Sequence, residues 1–152
     1  MKISNQLLKT PLLITGNKQI SLADFAGNYI VLYFYPKDNT SGCTQEGQEF
    51  KNIHAAFVKE KCVVLGVSRD TLQSHEKFKA NYQFPFELIT DSEKTLCQAF
   101  AVIKEKSMYG KKYLGIERST FLIDKQGKLI HEWRKVKVKD HAAEVLNYIK
   151  NL

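Results

Sequence analysis

The run Pro36-Lys37-Asp38-Asn39-Thr40-Ser41-Gly42-Cys43 follows directly on the apolar stretch 29–35. That order predicts a buried strand handing over to a helix, with the Cys43 thiol at the amino end of the helix. The first N–H groups of a helix lack intrahelical partners and carry the positive end of its dipole, and both favour a thiolate over a thiol. The thiolate is the nucleophilic form of cysteine. Cys43 is therefore the candidate nucleophile of the chain. A free cysteine is otherwise most often a small buried hydrophobe, and Cys62, at the head of an apolar strand, reads as one. The three cysteines, Cys43, Cys62 and Cys97, form no CxxC, zinc or disulfide pattern. In a reducing compartment all three are expected to be free at rest. His54, His75, His131 and His141 show neither metal nor dyad spacing and are expected at the surface.

The elements that must position Cys43 follow from apolar spacing. Residues 29–35 are continuously apolar or aromatic, as in a central strand covered on both faces, and 62–68 make a second such strand. Phe50, Ile53 and Phe57 recur at helical spacing, which predicts one helix from 43 to about 60. A short helical turn over 21–27 ends at Gly27, and a helix over 71–82 precedes a short strand after Pro85. Ser92 is the expected N-cap of a helix carrying Thr95, Leu96, Ala99 and Phe100. Residues 118–124 and 128–133 read as a β-hairpin turning at Lys125-Gln126-Gly127. Asp140 is placed to cap a last helix with Ala142, Val145, Leu146 and Ile149 on one face. Alternating strands and helices followed by a hairpin and a helix describe an α/β sandwich of the thioredoxin-like kind, a mixed central sheet flanked by helices. No linker or repeat divides residues 1–152, so a single domain is expected.

Composition narrows the function classes. The net charge of +7 comes from lysines scattered over 104–112, 125–128 and 134–139, without a compact basic block or base-reading motif. A mildly basic solvated surface accounts for it better than nucleic-acid binding. No stretch approaches the roughly 18 apolar residues that cross a bilayer, and the first residues are too polar for a secretory signal. A cytoplasmic protein with no membrane partner is expected.

The segment Phe34-Tyr35-Pro36-Lys37-Asp38-Asn39-Thr40-Ser41-Gly42-Cys43-Thr44-Gln45-Glu46 resembles the active-site segment of peroxiredoxins, in their bacterioferritin-comigratory-protein (Q-type) subfamily. The block 108–124, ending Glu117-Arg118-Ser119-Thr120-Phe121-Leu122-Ile123-Asp124, is similar to the arginine-bearing segment of the same subfamily. Likeness extends to the strand 63–68 and to the closing helix, so it covers nearly the whole chain. The resemblance implies a thiol-dependent peroxidase that reduces hydrogen peroxide and organic hydroperoxides, with no metal, haem or nucleotide cofactor. Cys43 then matches the peroxidatic cysteine. Thr40 matches the threonine that offers its hydroxyl to the peroxide, and Arg118 the arginine that holds the thiolate and receives the developing alkoxide. Pro36 matches the proline that shields the sulfur from solvent, and Glu46 the acidic residue that orients Arg118.

The chain departs from the subfamily where the resolving cysteine belongs. Five residues after Cys43 stands Gln48, and 71–82 contains no cysteine. Ser41 also replaces the proline usual before Gly42. The Cys43 sulfenic acid could pass straight to an external thiol, or be resolved by Cys97 or by Cys62 after local unfolding. The one-cysteine route is the expectation. The resemblance implies thioredoxin as the reductant, with glutathione and glutaredoxin as the substitute, and a monomer. Two other readings compete. A thioredoxin-like disulfide reductase needs a second cysteine two residues from Cys43, which the sequence lacks. A redox sensor or holdase would use the same thiol without turnover.

Overall fold

The computed structural model describes residues 2–152. In chain order the elements are α1 (Asn5–Leu8), β1 (Leu12–Ile14), β2 (Lys18–Ile20), a 3-10 turn (Leu22–Phe25), β3 (Tyr29–Phe34), α2 (Ser41–Asn52), α3 (His54–Lys59), β4 (Cys62–Ser68), α4 (Leu72–Tyr82), β5 (Glu87–Thr90), α5 (Thr95–Ala99), β6 (Ile103–Met108), β7 (Lys111–Ile116), β8 (Ser119–Ile123), β9 (Leu129–Trp133) and α6 (His141–Lys150). A strand apolar at every position must be covered on both faces, and β3 is buried from Ile30 to its end. It lies inside a seven-stranded sheet, between β4 and β8, in the order β2-β1-β5-β4-β3-β8-β9. Strands β3, β4 and β5 run parallel; β8 pairs antiparallel with β3, and β1 with β5.

The pleat of β3 sorts the core into two layers. Ile30, Leu32 and Phe34 enter a layer with Leu96, Cys97, Phe100 and Phe121. Val31, Tyr33 and Tyr35 enter the other, with Cys43, Phe50, Phe57, Cys62, Phe78, Val145 and Ile149. Cys43 and Cys97 therefore lie on opposite faces of the sheet. Close packing of the second layer brings a Cβ built on Gly47 to 2.4 Å from Cζ of Phe84, so α2 meets that ring only because position 47 has no side chain.

Several sequence expectations are corrected. Residues 43–60 are two helices, because Ile53 leaves the helical range (φ −117, ψ 16) after Asn52, and both are weak helix formers. Ser92 does not cap α5: the Asp91 carboxylate accepts from the N–H groups of Leu96 and Cys97 at 3.0 and 2.8 Å. Asp140 occupies the N-cap position of α6 at φ 63, but its side chain makes no cap; its N–H donates to Glu49 Oε1 and ties α6 to α2. Two antiparallel pairs, β1–β2 and β6–β7, were not anticipated. The second is a separate two-stranded sheet that turns through Tyr109 and Gly110, both at positive φ. The 118–133 hairpin, the Gly27 stop and the last helix stand as expected. Among the described residues no helix is long and apolar enough to cross a membrane.

Candidate active site

The carboxyl end of β3 delivers the chain into the loop 36–40, and α2 begins at Ser41 with Thr40 as its N-cap residue. Cys43 is thus the third helical residue, where N–H groups are still unpaired within the helix. Its side chain is turned inward and is only 2% exposed. Arg118, immediately before β8, is brought to it because β8 pairs with β3 and places Ser119 beside Phe34. The guanidinium bridges two residues of α2: Nη2 donates to Cys43 Sγ at 3.4 Å, and Nη1 donates to Glu46 Oε1 at 2.7 Å. Gly42 makes room for it, since a Cβ there would stand 3.2 Å from Nη2.

The electrostatics of this trio follow from burial. Glu46 is 1% exposed, and desolvation pushes its pKa up to about 7 against the pull of Arg118. Among the described residues its second oxygen, Oε2, has no hydrogen-bond partner, and neither has the buried hydroxyl of Tyr33. Burial, then the charge of Glu46, holds the Tyr33 phenol well above its ordinary range. Arg118 stays charged, its pKa raised by Glu46 and Cys43 in spite of burial. A guanidinium fixed beside the sulfur can receive negative charge that develops on a departing oxygen.

The remaining expected site residues are placed less simply. Thr40 leaves its cap role to the backbone and donates its hydroxyl to the Lys37 carbonyl at 2.8 Å, which leaves Oγ1 free to accept. Pro36 is half-buried at the loop's start. Cys62 is buried in the same layer as Cys43, and burial pushes its pKa up to about 12. Cys97 is buried in the opposite layer, its pKa raised by desolvation and by Asp91.

The profile of the AhpC/TSA family matches residues 5–132. The chain belongs to the AhpC/TSA family. Peroxiredoxin Bcp of Bacillus subtilis is 54% identical over 133 residues, covering 88% of this chain and 85% of that protein. Peroxiredoxin Bcp of Xanthomonas campestris pv. campestris is 51% identical over 140 residues, 92% of this chain and 88% of that one. Among solved structures, a cysteine-to-serine mutant of Xylella fastidiosa PrxQ superposes with a TM-score of 0.96 at 47% identity, over 99% of this chain and 94% of that one. The Xanthomonas campestris bacterioferritin comigratory protein, studied for alkyl peroxide reduction in trapped intermediate and ligand complexes, gives 0.93 at 47% identity over 98% and 95%. The chain is accordingly a peroxiredoxin of the Bcp type with a thioredoxin-like sheet, and a thiol-dependent peroxidase.

In this peroxiredoxin two histidines expected at the surface are interior. His75 is fully buried against Asp38, and His141 is 5% exposed with Nε2 2.8 Å from Thr120 Oγ1. Burial, then Arg118, lowers the His141 pKa to about 4. His54 and His131 are partly exposed. Lys106, half-buried on β6, is a charge near the site that sequence pattern did not mark; burial and then Arg118 hold its pKa down, while Cys43 pulls it up. The aliphatic part of a lysine packs as well as any apolar side chain, so nothing in its spacing distinguishes it.

Proposed function

We propose that residues 1–152 form one domain working as a monomeric, cytoplasmic, one-cysteine peroxidase, with Cys43 as nucleophile and Arg118, Thr40, Pro36 and Glu46 in support. The bridge from Arg118 to both Cys43 Sγ and Glu46 Oε1 carries this reading. The Cys43 thiolate attacks the terminal oxygen of ROOH; the S–O bond forms as the O–O bond breaks. Sulfur is oxidised by two electrons to Cys43–SOH, and RO⁻ leaves and takes a proton from water. Arg118 stabilises the developing RO⁻, Thr40 Oγ1 accepts from the hydroperoxide O–H, and Pro36 screens the sulfur from water. Glu46 holds the guanidinium in place.

An external thiol then condenses with Cys43–SOH, releasing water, and a second thiol frees Cys43 as the donor becomes a disulfide. Geometry inside the chain supports an external donor. Cys62 pairs in register with Tyr29, at the opposite end of β3 from the active-site loop. The strand puts about 17 Å between them at roughly 3.3 Å per residue, whereas a disulfide needs Cα atoms within about 7 Å. Cys97 is across the sheet. Thioredoxin is the donor we assign, with glutathione and glutaredoxin as the second.

Steady peroxide consumption with thioredoxin, its reductase and NADPH tests the assignment, with Cys43→Ser inactive. A single stoichiometric burst with every thiol donor would favour the sensor reading instead.

A further inference from the structure

The active-site loop is gripped from behind by α4, through a histidine with no exposure at all. The side chains of His75 and Asp38 are 0% and 1% exposed. Nε2 of His75 lies 3.1 Å from the carbonyl oxygen of Ile89, and Nδ1 lies 2.7 Å from Oδ2 of Asp38. A carbonyl oxygen carries no proton, so Nε2 is the donor there. A neutral ring then has no hydrogen left for Nδ1, yet the contact with Asp38 requires one, on the ring or on the carboxyl.

Asp38 decides where it sits. Its Oδ1 accepts from the Tyr35 hydroxyl at 2.6 Å, and its Oδ2 from Ser74 Oγ at 2.8 Å. Burial above all, with Tyr33 and Asp38 nearby, holds the Tyr35 pKa well up, so the phenol keeps its proton and donates. Two hydroxyl donors therefore converge on this carboxyl whatever the state of the ring, and hydrogen bonds to a carboxylate favour its ionised form. With that proton on the ring, both ring nitrogens donate and the two side chains form a buried ion pair. Besides Asp38, the titratable groups that face the ring are Tyr35, just after β3, and Asp70 from the corner between β4 and α4.

The loop backbone is held by the same corner: Asp38 N–H donates to Asp70 Oδ2 at 2.9 Å, and Ser68 Oγ donates to that oxygen at 2.7 Å. Polar atoms of Asp38, Asp70 and His75 lie within 4.8 Å of one another, but these hydrogen bonds already employ them, so the cluster is explained without a cation. Next to Asp38, the Lys37 carbonyl receives the Thr40 hydroxyl. Contacts thus run without a break from α4 through His75, Asp38 and Lys37 to Thr40.

We propose that His75 and Asp38 are positioning residues for peroxide reduction: their ion pair pins loop 36–40 to α4 and fixes where Thr40 stands relative to Cys43. This rests on the roles given above to Cys43 and Thr40. Neither His75 nor Asp38 touches the reacting atoms. Their influence belongs to the peroxide step, because reduction of Cys43–SOH by a small thiol does not use Thr40.

Two measurements test it. Nitrogen-15 NMR of the His75 ring at neutral pH should show both nitrogens protonated in the wild type. In Asp38→Asn, which keeps the shape and can donate an amide N–H to Nδ1, the ring should become neutral. Stopped-flow should show the reaction of reduced protein with hydrogen peroxide slowed about ten- to a hundredfold in Asp38→Asn and His75→Phe, the range of a lost charge-assisted hydrogen bond. Reduction of the sulfenic acid by dithiothreitol should be unchanged in both. A neutral His75 in the wild type, peroxide rates equal to wild type in both variants, or equal slowing of both half-reactions would each overturn the proposal. If His75→Phe does not fold, Asp38→Asn carries both readouts. A wild type that shows no peroxide step would instead remove the role assigned to Cys43.

Discussion

Arg118 serves two residues at once, and its shape is what allows it. A planar guanidinium can aim Nη1 at Glu46 and Nη2 at Cys43, while a lysine ammonium is a point charge on a flexible stem. Arg118→Ala should therefore lower the second-order rate constant with peroxide by about 10²- to 10³-fold, the usual loss for a missing oxyanion donor. Arg118→Lys should recover little of it in the same stopped-flow assay. Glu46 and His141 supply a second test, in stability. Burial raises the Glu46 pKa from 4.5 to about 7, so the folded chain favours the protonated acid. Its contribution is complete below pH 4.5 and lost as pH rises through about 7. His141 goes the other way: with a pKa lowered from 6.5 to about 4, it favours folding as the neutral ring, and stability is lost as pH falls below 6.5. Between pH 4.5 and 6.5 the two slopes oppose. Urea midpoints across that window should rise with pH more steeply than wild type in Glu46→Gln, and less steeply in His141→Gln. Slopes that change in the same direction in both variants would contradict these assignments.

At the scale of elements, α2 is set by a ring rather than by its own sequence. Phe84 packs edge-on to Phe78 and stacked on Phe86, so it has nowhere to go when a methyl group arrives at position 47. Gly47→Ala should destabilise the fold by about 1–3 kcal/mol of overpacking, outweighing the roughly 1 kcal/mol by which alanine is the better helix former. A urea midpoint equal to or above wild type would show that the ring yields. The elements also show how far pattern reaches. Strands β3 and β4, the 118–133 hairpin and α6 announce themselves by continuous or periodic apolar residues. The β6–β7 pair does not, because its exposed faces carry lysines and few buried side chains. Cys43 and Arg118 were legible as parts of two long motifs. The Asp38–His75 pair was not, since a lone histidine on a helix gives no sign of which loop will close over it. Ser92 does not serve as cap because the N-cap position of α5 falls at Lys94, and it is Asp91, from before the turn, whose carboxylate reaches the N–H groups of Leu96 and Cys97.

For the molecule as a whole, the placement of three thiols decides how turnover is completed. Cys62 and Cys97 are buried, the first beside Tyr29 at the start of β3 and the second across the sheet from Cys43, and both have raised pKa values. After one equivalent of hydrogen peroxide, mass spectrometry should find Cys43 as sulfenic acid and no 43–62 or 43–97 disulfide. A Cys62→Ala/Cys97→Ala double variant should keep its turnover with dithiothreitol; loss of turnover there, with the fold intact, would mean that one of them resolves. The donor must also reach a sulfur that is only 2% exposed, so the mixed disulfide requires a local opening around α2.

Cys43 and Arg118 are 75 residues apart in sequence and meet only when β8 docks beside β3. A chain still emerging from the ribosome carries the sulfur long before the guanidinium arrives, and its thiol has no such partner while β8 is unmade. On the roles proposed for Cys43 and Arg118, peroxide reactivity should appear when β8 docks on β3, and its onset during refolding would time that step.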